Sequence, residues 1–280
     1  MFRFIVSCIA LMLSTVSFAQ APFVVATHPI YLIAKEITKG VEEPELLLKN
    51  QSGHDVQLTP AHRKAMQDAS LVLWLGKAHE APLANVLQNN PKAVSILDSK
   101  IINTLPQRSV RGEPLANTTD SHVWLDPNNA VRIGFFIAAL RSQQYPANKA
   151  QYMQNAQNFA KAMLKASQVH QTNAKSRAYW SYHDAYQYLE RPLNLKLAGA
   201  LTSDPGVAPT ATQLKYLKDN KPNATMCLLA EGDTNQNQYK VLNPVVFQAV
   251  DESMNADNNF IIGWQKLASQ IANCVSNASK

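Results

Sequence analysis

The sequence predicts an α/β protein of two lobes, each a mainly parallel sheet with flanking helices, joined by a long connecting helix. Short apolar runs rich in β-branched residues alternate with helical patterns in both halves of the chain. A helical stretch with no strand pattern separates the two halves. Continuous apolar strands that alternate with helices are typical of parallel sheets covered on both faces.

The N-terminal lobe is expected to span 20–125. Its apolar runs predict four buried strands, at 23–28, 45–50, 71–76 and 94–99. Helical patterns lie between these runs, at 29–39, 59–69 and 80–89. The stretch 102–121 is polar and follows no periodic pattern, so it is expected to be a loop.

The connecting segment is expected to span 126–174. Asp126 is a favourable N-cap, and Pro127 suits the first position of a helix, which then continues to Pro146. A second helix fits 148–173, where apolar side chains recur on one face. This helical segment is the natural connection between the lobes.

The C-terminal lobe is expected to span 175–280 and returns to the alternating pattern. Four strands are predicted at 178–183, 195–201, 225–231 and 245–250, with helices at 184–191 and 210–220. The chain then ends in a helix whose apolar residues follow the helical period. The two halves share this architecture without a visible sequence repeat.

The first 19 residues predict a secretory signal peptide. Arg3 precedes an apolar run at 5–13 that is too short to span a bilayer, and Ser17 and Ala19 place small residues before a cleavage site. Cleavage after about Ala19 would leave a soluble, exported chain. Loss of Arg3 lowers the net charge from +6 to +5. The charges are dispersed, which argues against nucleic-acid binding.

The mature chain keeps two cysteines, Cys227 and Cys274. An even number of cysteines in an oxidising compartment predicts a disulfide. The alternative is that both thiols bind a metal, although neither has a Cys or His at ligand spacing.

Three histidines in separate motifs are the candidate metal ligands: His54 in SGHDVQLTP, His122 in DSHVWLDP and His183 in SYHDAYQYL. Only folding could bring them together, and three imidazoles on one cation form a zinc-type ligand set. His54 and His183 follow predicted strands, and ligands of open α/β sheets collect at the carboxyl ends of strands. We therefore expect a metal site in the cleft between the lobes.

Eight segments along the mature chain carry a resemblance to a known family: VVATHPIYLIAKEI, SGHDVQLTPAHRKAM, LVLWLGKAHEAPL, HVWLDPNNA, NKAQYMQNAQNFAKAML, SYHDAYQYL, MCLLAEGDTNQ and LASQIANCV. In this order they resemble the metal-binding receptors of the cluster A-I ABC importers, and among them the periplasmic zinc-binding proteins of the ZnuA type.

The resemblance implies a binding protein and not an enzyme. It implies capture of Zn²⁺ in the periplasm as the transported ligand, and delivery to an inner-membrane ABC permease powered by a cytoplasmic ATPase. The family's ligands correspond to His54, His122 and His183, and Cys227 and Cys274 match a disulfide typical of the zinc branch. We expect a monomer.

Two departures from the family pattern leave parts of the site open. The loop before His122, PQRSVRGEPLANTTDSH, contains no histidine, whereas zinc receptors commonly carry a His-rich loop there. Gly53 replaces a Glu found before the first ligand in some relatives. The fourth ligand is therefore open between Asp251, a water molecule and Glu231. Asp55 is a candidate to orient an imidazole from outside the ligand set, or a turn residue.

The sequence leaves three alternative functions open. A receptor for manganese or iron would have the same fold, but imidazole at all three positions favours zinc over harder cations. A secreted three-histidine zinc hydrolase would need a base, and the chain has no HExxH motif. An adhesin or accessory chaperone could also use this fold. Among the other histidines, His62 and His170 are expected to face solvent and His79 to lie at an exposed helix start.

Overall fold

Two four-stranded parallel sheets organise the chain, one in each half. This computed structural model describes residues 21–49, 56–168, 177–232 and 234–280. The predicted signal peptide therefore lies outside the described residues, as do His54, Asp55 and His170. Each of the helices in the described part is too short or too polar to span a bilayer.

The first sheet has the strand order β2-β1-β3-β4. Its strands are β1 Phe23–Val25, β2 Glu45–Leu46, β3 Leu71–Trp74 and β4 Ala93–Ser95. The helices of this half are α1 His28–Thr38, α2 Pro60–Asp68 and α3 Ala81–Leu87. All four predicted strands and all three predicted helices of this half are present, although the strands are shorter than their apolar runs.

Apolar residues at every position of β1 and β3 explain why helices cover both faces of this sheet. Side chains alternate between the faces of a strand. Val25 and Leu73 accordingly enter the large core that α1 also enters, whereas Val24 and Val72 pack in a second core on the opposite face. The sheet is therefore buried on both faces, as continuous apolar strands predict.

The second sheet repeats this arrangement with the order β6-β5-β7-β8. Its strands are β5 Ala178–Ser181, β6 Lys196–Ala200, β7 Met226–Ala230 and β8 Val245–Ala249. The helices are α6 Gln187–Leu193, α7 Ala211–Asp219 and the terminal α8 Phe260–Ala278. Together the two sheets confirm the predicted two-lobe α/β fold.

The connecting segment consists of two helices packed on each other, α4 Pro127–Gln144 and α5 Lys149–Ser167. Asp126 caps α4 by accepting hydrogen bonds from the backbone N–H groups of Asn128 and Asn129. Helix α5 contacts α1 of the first lobe and α8 of the second. One continuous hydrophobic core runs through both lobes by way of these helices.

A disulfide joins Cys227 on β7 to Cys274 on α8, with 5.5 Å between the two Cα atoms. This confirms the predicted pairing and rules out the alternative of two thiolate metal ligands. Both cysteines are buried in the core that α8 covers. The terminal helix is thus covalently attached to the central part of the second sheet.

Residues 105–120, called the strap below, form an irregular hairpin within the predicted loop. Asp120 N donates to Leu105 O and closes the base, and Leu115 N donates to Gln107 O further along, each at 2.8 Å. Arg108 and Pro114 form an isolated antiparallel bridge near the tip. The strap lies against the second lobe, where Ala200 N of the edge strand β6 donates to Val110 O at 2.9 Å.

Candidate metal centre

Three buried side chains converge at the carboxyl edge of the second sheet: His122, His183 and Glu252. One potential ligand atom from each lies within 4.8 Å of the other two. The rings of His122 and His183 have centroids 5.7 Å apart. His183 Nε2 lies 3.9 Å from Glu252 Oε1. Two imidazoles and one carboxylate at these separations form a group that could hold one metal ion.

The topology of the second sheet explains why two of these residues meet. His183 comes two residues after β5, and Glu252 comes three residues after β8. Both strands run in parallel on either side of β7, so their carboxyl ends reach the same edge. This is the edge at which ligands of open α/β sheets collect.

His122 arrives from a different part of the chain, directly before the short 3-10 turn that leads into α4. Three hydrogen bonds of 2.9 Å join its segment to the second lobe: Tyr188 Oη to Asp120 O, Trp124 Nε1 to Glu252 O, and Trp264 Nε1 to Leu125 O. The three candidate ligands therefore belong to one hydrogen-bonded unit.

Asp120 orients the ring of His122. Its Oδ1 lies 2.8 Å from His122 Nδ1 and also accepts the His122 backbone N–H at 3.0 Å. We assign the ring proton to Nδ1 on the basis of this contact, so Nε2 is the ring atom that could bind a metal. Burial lowers the pKa of His122, but the hydrogen bond to Asp120 and its negative charge outweigh burial and raise the pKa above its ordinary value.

Glu252 is buried beside these rings. Burial raises its pKa to about 7, and the charge of Glu231 raises it further, whereas the charge of His122 opposes the shift. Its Oε2 atom has no hydrogen-bond partner among the residues that the structure describes. An unsatisfied buried carboxylate oxygen is costly in a folded protein, and a bound cation would satisfy it.

The structure brings only some of the predicted ligands together. His122 and His183 lie together as expected, whereas His54 and Asp55 fall outside the described residues. Asp251 lies outside the group of three, and its carboxylate accepts the backbone N–H groups of Ser253 at 3.0 Å and Asn255 at 2.6 Å. Glu231, at the end of β7, also lies outside the group.

Glu252 was not recognised from the sequence. The only signal for it was a second carboxylate next to Asp251, at the end of a predicted strand. Asp251 forms a turn with its own neighbours, and Glu252 then turns inward. Which of two adjacent carboxylates faces the site depends on this turn, and the sequence pattern does not show it.

The expectation for His79 was wrong: it is 5% exposed rather than solvent-facing. Its Nδ1 atom lies 3.0 Å from Ser121 Oγ. Its ring meets the rings of Trp124 and His122 edge-on, with centroids 5.2 and 6.0 Å away. His79 therefore packs behind the candidate ligand His122.

Glu80 explains why His79 is turned inward. Its two carboxylate oxygens accept the backbone N–H groups of Leu75 and Gly76, at 3.2 and 2.9 Å, and so close the turn between β3 and α3. Glu80 is wholly buried, and burial raises its pKa to about 8 despite these hydrogen bonds. The turn places His79 at the boundary between the lobes.

A cavity of about 170 Å³ opens beside the group of three. His122 and His183 line its inner end, the strap residues Arg108 and Ser109 line one wall, and Thr202 lines another. Polar and apolar groups share the lining about equally, and the polar ones include both candidate imidazoles.

Comparison with protein families gives one match over most of the chain. The family described as ZnuA, zinc-uptake complex component A, periplasmic, matches residues 23–260. Two curated relatives are both described as high-affinity zinc uptake system protein ZnuA. The protein of Haemophilus ducreyi is 29% identical over 79% of this chain and 80% of its own length. The protein of Yersinia pestis is 27% identical, with 85% and 81% covered.

Solved structures with the same fold are more distant in sequence. A crystal structure of ZnuA has a TM-score of 0.74 at 19% identity and covers 92% of this chain and 100% of its own. The laminin-binding protein Lmb of Streptococcus agalactiae, described as an adhesin with metal-transporting activity, has a TM-score of 0.75 at 19% identity, with 91% and 100% covered. At this identity the two structures support the fold alone.

Proposed function

Since the chain belongs to the ZnuA family of periplasmic zinc-uptake components, we propose that it is the zinc receptor of an ABC importer. It binds Zn²⁺ in the periplasm and delivers the ion to an inner-membrane permease driven by a cytoplasmic ATPase. It acts as a monomer, and its signal peptide is removed after Ala19. The ion is the transported cargo and not a cofactor for catalysis.

The observation that carries this proposal is the buried group of His122, His183 and Glu252. His122 Nε2, an imidazole nitrogen of His183 and a Glu252 oxygen supply three of the four ligands that zinc prefers in a tetrahedral site. His54, from the first lobe, supplies the fourth. Asp251 and Glu231 are not needed as ligands in this assignment.

A manganese or iron receptor is the closest alternative. Harder cations such as Mn²⁺ favour sets rich in carboxylate, whereas imidazole suits zinc. The proposed set contains three imidazoles and one carboxylate, so it favours Zn²⁺. The orientation of His122 by Asp120 strengthens the imidazole as a ligand in the same way as in known zinc sites.

Binding fits this site better than catalysis. The three side chains are only 6 to 7% exposed, so an ion held by them and by His54 would have no open position for a substrate. A hydrolytic zinc keeps such a position for water. We therefore do not favour the hydrolase, and laminin binding stays a property of the Streptococcus agalactiae protein alone.

Metal analysis of the untagged mature protein tests this proposal. We expect one Zn²⁺ per chain, held in competition with a strong chelator, and much weaker binding of Mn²⁺. Preferential binding of Mn²⁺ in a competition titration would contradict the zinc assignment. The mass of the protein recovered from the periplasm tests cleavage after Ala19, and its elution volume on a sizing column tests the monomer.

A further inference from the structure

The strap is bound to the second lobe at both its base and its tip. At the base, Leu105 N donates to Tyr188 Oη at 2.9 Å. At the tip, Val110 O accepts hydrogen bonds from Ala200 N at 2.9 Å and from Gln213 Nε2 at 3.1 Å. The strap thus packs against the edge strand β6 of the second sheet, next to the candidate metal centre.

Gly199 allows the tip to come this close. It has a φ of +143°, and a side-chain carbon added there would lie 2.5 Å from Leu217 and 3.2 Å from Val110 O. A larger residue would push the strap away from β6. The contact between strap and sheet therefore depends on the local sequence of both partners.

Arg108 makes the strongest polar contacts between the strap and the lobe. Its Nε and Nη2 atoms donate to the two carboxylate oxygens of Asp184, each at 2.7 Å, and Nη2 also donates to Glu190 Oε1 at 2.8 Å. The side chains of Arg108 and Asp184 are 9 and 10% exposed. Charge-assisted, bidentate pairs that are shielded from water are strong and geometrically specific.

Asp184 directly follows His183 in the chain. A carboxylate held at both oxygens by a planar guanidinium has little freedom to rotate, so the backbone at 183–184 is held as well. Glu190, the second carboxylate that Arg108 holds, accepts a hydrogen bond from the Tyr179 hydroxyl at 3.0 Å. This bond joins the network of Arg108, Asp184 and Glu190 to strand β5. The network therefore restrains His183 from the strap and from its own strand.

We propose that Arg108 is a positioning residue for the metal centre. By holding Asp184 and Glu190 it keeps the His183 imidazole at the distance from His122 and Glu252 that one cation requires. The strap lies at the position in the sequence where zinc receptors commonly carry a His-rich loop. In this protein it holds a candidate ligand in position. This inference rests on the proposed zinc-binding function.

Three single variants test the role of Arg108: Arg108→Ala, Arg108→Lys and, as a matched control from the strap tip, Arg111→Ala. The Arg111 guanidinium lies over the ring of Tyr216, with 4.4 Å to the ring centroid, and Arg111 does not line the cavity beside His183. The affinity for Zn²⁺ is measured by competition with a chromophoric chelator. The absorption spectrum of bound Co²⁺ reports the geometry at the metal, and the melting temperature of the metal-free protein reports folding.

We expect Arg108→Ala to bind Zn²⁺ at least tenfold more weakly and to alter the Co²⁺ spectrum. Arg108→Lys keeps the charge but not the bidentate fork, so it should restore part of the affinity. Arg111→Ala should stay within twofold of the original protein in affinity and keep its Co²⁺ spectrum. A general structural role would lower the melting temperature without changing the Co²⁺ spectrum.

Unpaired buried carboxylates could prevent Arg108→Ala from folding. The triple variant Arg108→Met, Asp184→Asn and Glu190→Gln removes all three charges together and serves as the second test. A folded Arg108→Ala or triple variant with unchanged zinc affinity and an unchanged Co²⁺ spectrum would overturn the positioning role. Failure of the unaltered protein to bind Zn²⁺ would instead overturn the proposed function.

Discussion

The two lobes have the same strand order but are stabilised by different chemistry. Each sheet places its first strand in the middle and adds strands in the pattern 2-1-3-4. A buried ion pair joins the first lobe to the connecting helices. The second lobe is fastened to its terminal helix by a disulfide.

In the first lobe the ion pair is built on Arg141 of α4, which is fully buried. Its guanidinium donates to both carboxylate oxygens of Glu42, and Tyr152 of α5 donates to the same carboxylate at 2.7 Å. The rings of Phe23 and Tyr145 lie over the guanidinium, with centroids 4.8 and 4.7 Å away. These contacts join the sheet to both connecting helices.

At the edge of the second lobe, buried carboxylates lie around the candidate metal centre. Glu252, Asp184 and Asp120 are all buried or nearly so close to the ligand group. Buried carboxylates cost stability, and a disulfide offsets that cost without adding charge. The core of the second lobe thus contains a covalent cross-link, whereas the contact of the first lobe with the connecting helices contains a paired charge.

The largest effect is expected from breaking the ion pair of the first lobe. Arg141→Met leaves Glu42 buried without its partner, which should lower the free energy of unfolding by about 3–5 kcal/mol. Urea unfolding of the metal-free protein measures this change. Arg132→Ala, an exposed arginine on the same helix, is the control and should change the free energy of unfolding by less than about 0.5 kcal/mol.

A slightly smaller loss of stability is expected when the disulfide of the second lobe is removed. Replacing Cys227 and Cys274 by Ser removes a cross-link with a sequence separation of 47, which corresponds to about 4 kcal/mol at most in the chain-entropy model. The zinc content should stay at one ion per chain, because neither sulfur belongs to the ligand group. Loss of zinc from a folded double variant would contradict this separation of disulfide and site.

Acidification tests the candidate ligands Glu252 and His122 directly, because protons compete with a metal ion for both side chains. Glu252, whose pKa burial raises to about 7, must lose its proton before it binds zinc. Below pH 7 the proton competes with the metal, so this group alone should weaken zinc binding by up to about tenfold per pH unit. The raised pKa of His122 acts in the same direction.

Zinc affinity measured between pH 7.5 and 5.5, corrected for protonation of the competing chelator, checks this expectation. The affinity should fall steadily across the range as the pH decreases. An affinity that is constant over these two pH units would show that neither group binds the ion.

The smallest change in zinc affinity is expected for a substitution of His79, at the contact between the lobes. His79→Phe keeps the ring packing against Trp124 and His122 but loses the hydrogen bond to Ser121. One hydrogen bond contributes about 1 kcal/mol, so zinc affinity should fall by no more than about fivefold. A competition titration measures the change, and a loss of a hundredfold or more would indicate that His79 itself is a ligand.

Most of the fold was predictable because its signals are local. The run at 71–76 is apolar at five successive positions, which is not typical of an exposed loop, and Asp126 with Pro127 is a strong helix start. The structure confirms β3 at Leu71–Trp74 and α4 from Pro127 onward. Periodicity and capping residues act over a few residues, and the sequence displays them directly.

The candidate site was only partly predictable because its details depend on tertiary contacts. His122 and His183 were identified from their motifs. The inward turn of Glu252 depends on hydrogen bonds made by Asp251, and the burial of His79 depends on Glu80 and on the packing of the second lobe. The strap looked like an unstructured loop because its partners, such as Asp184, are distant in sequence.

Zinc competition with matched variants tests most directly whether His122, His183 and Glu252 hold the zinc ion. His122→Ala, His183→Ala and Glu252→Gln should each weaken binding by at least tenfold, since each removes one bond to the metal. Asp251→Asn and His62→Ala should stay within about threefold of the original affinity. Equal affinities in all five variants, or a loss confined to Asp251→Asn, would contradict the account.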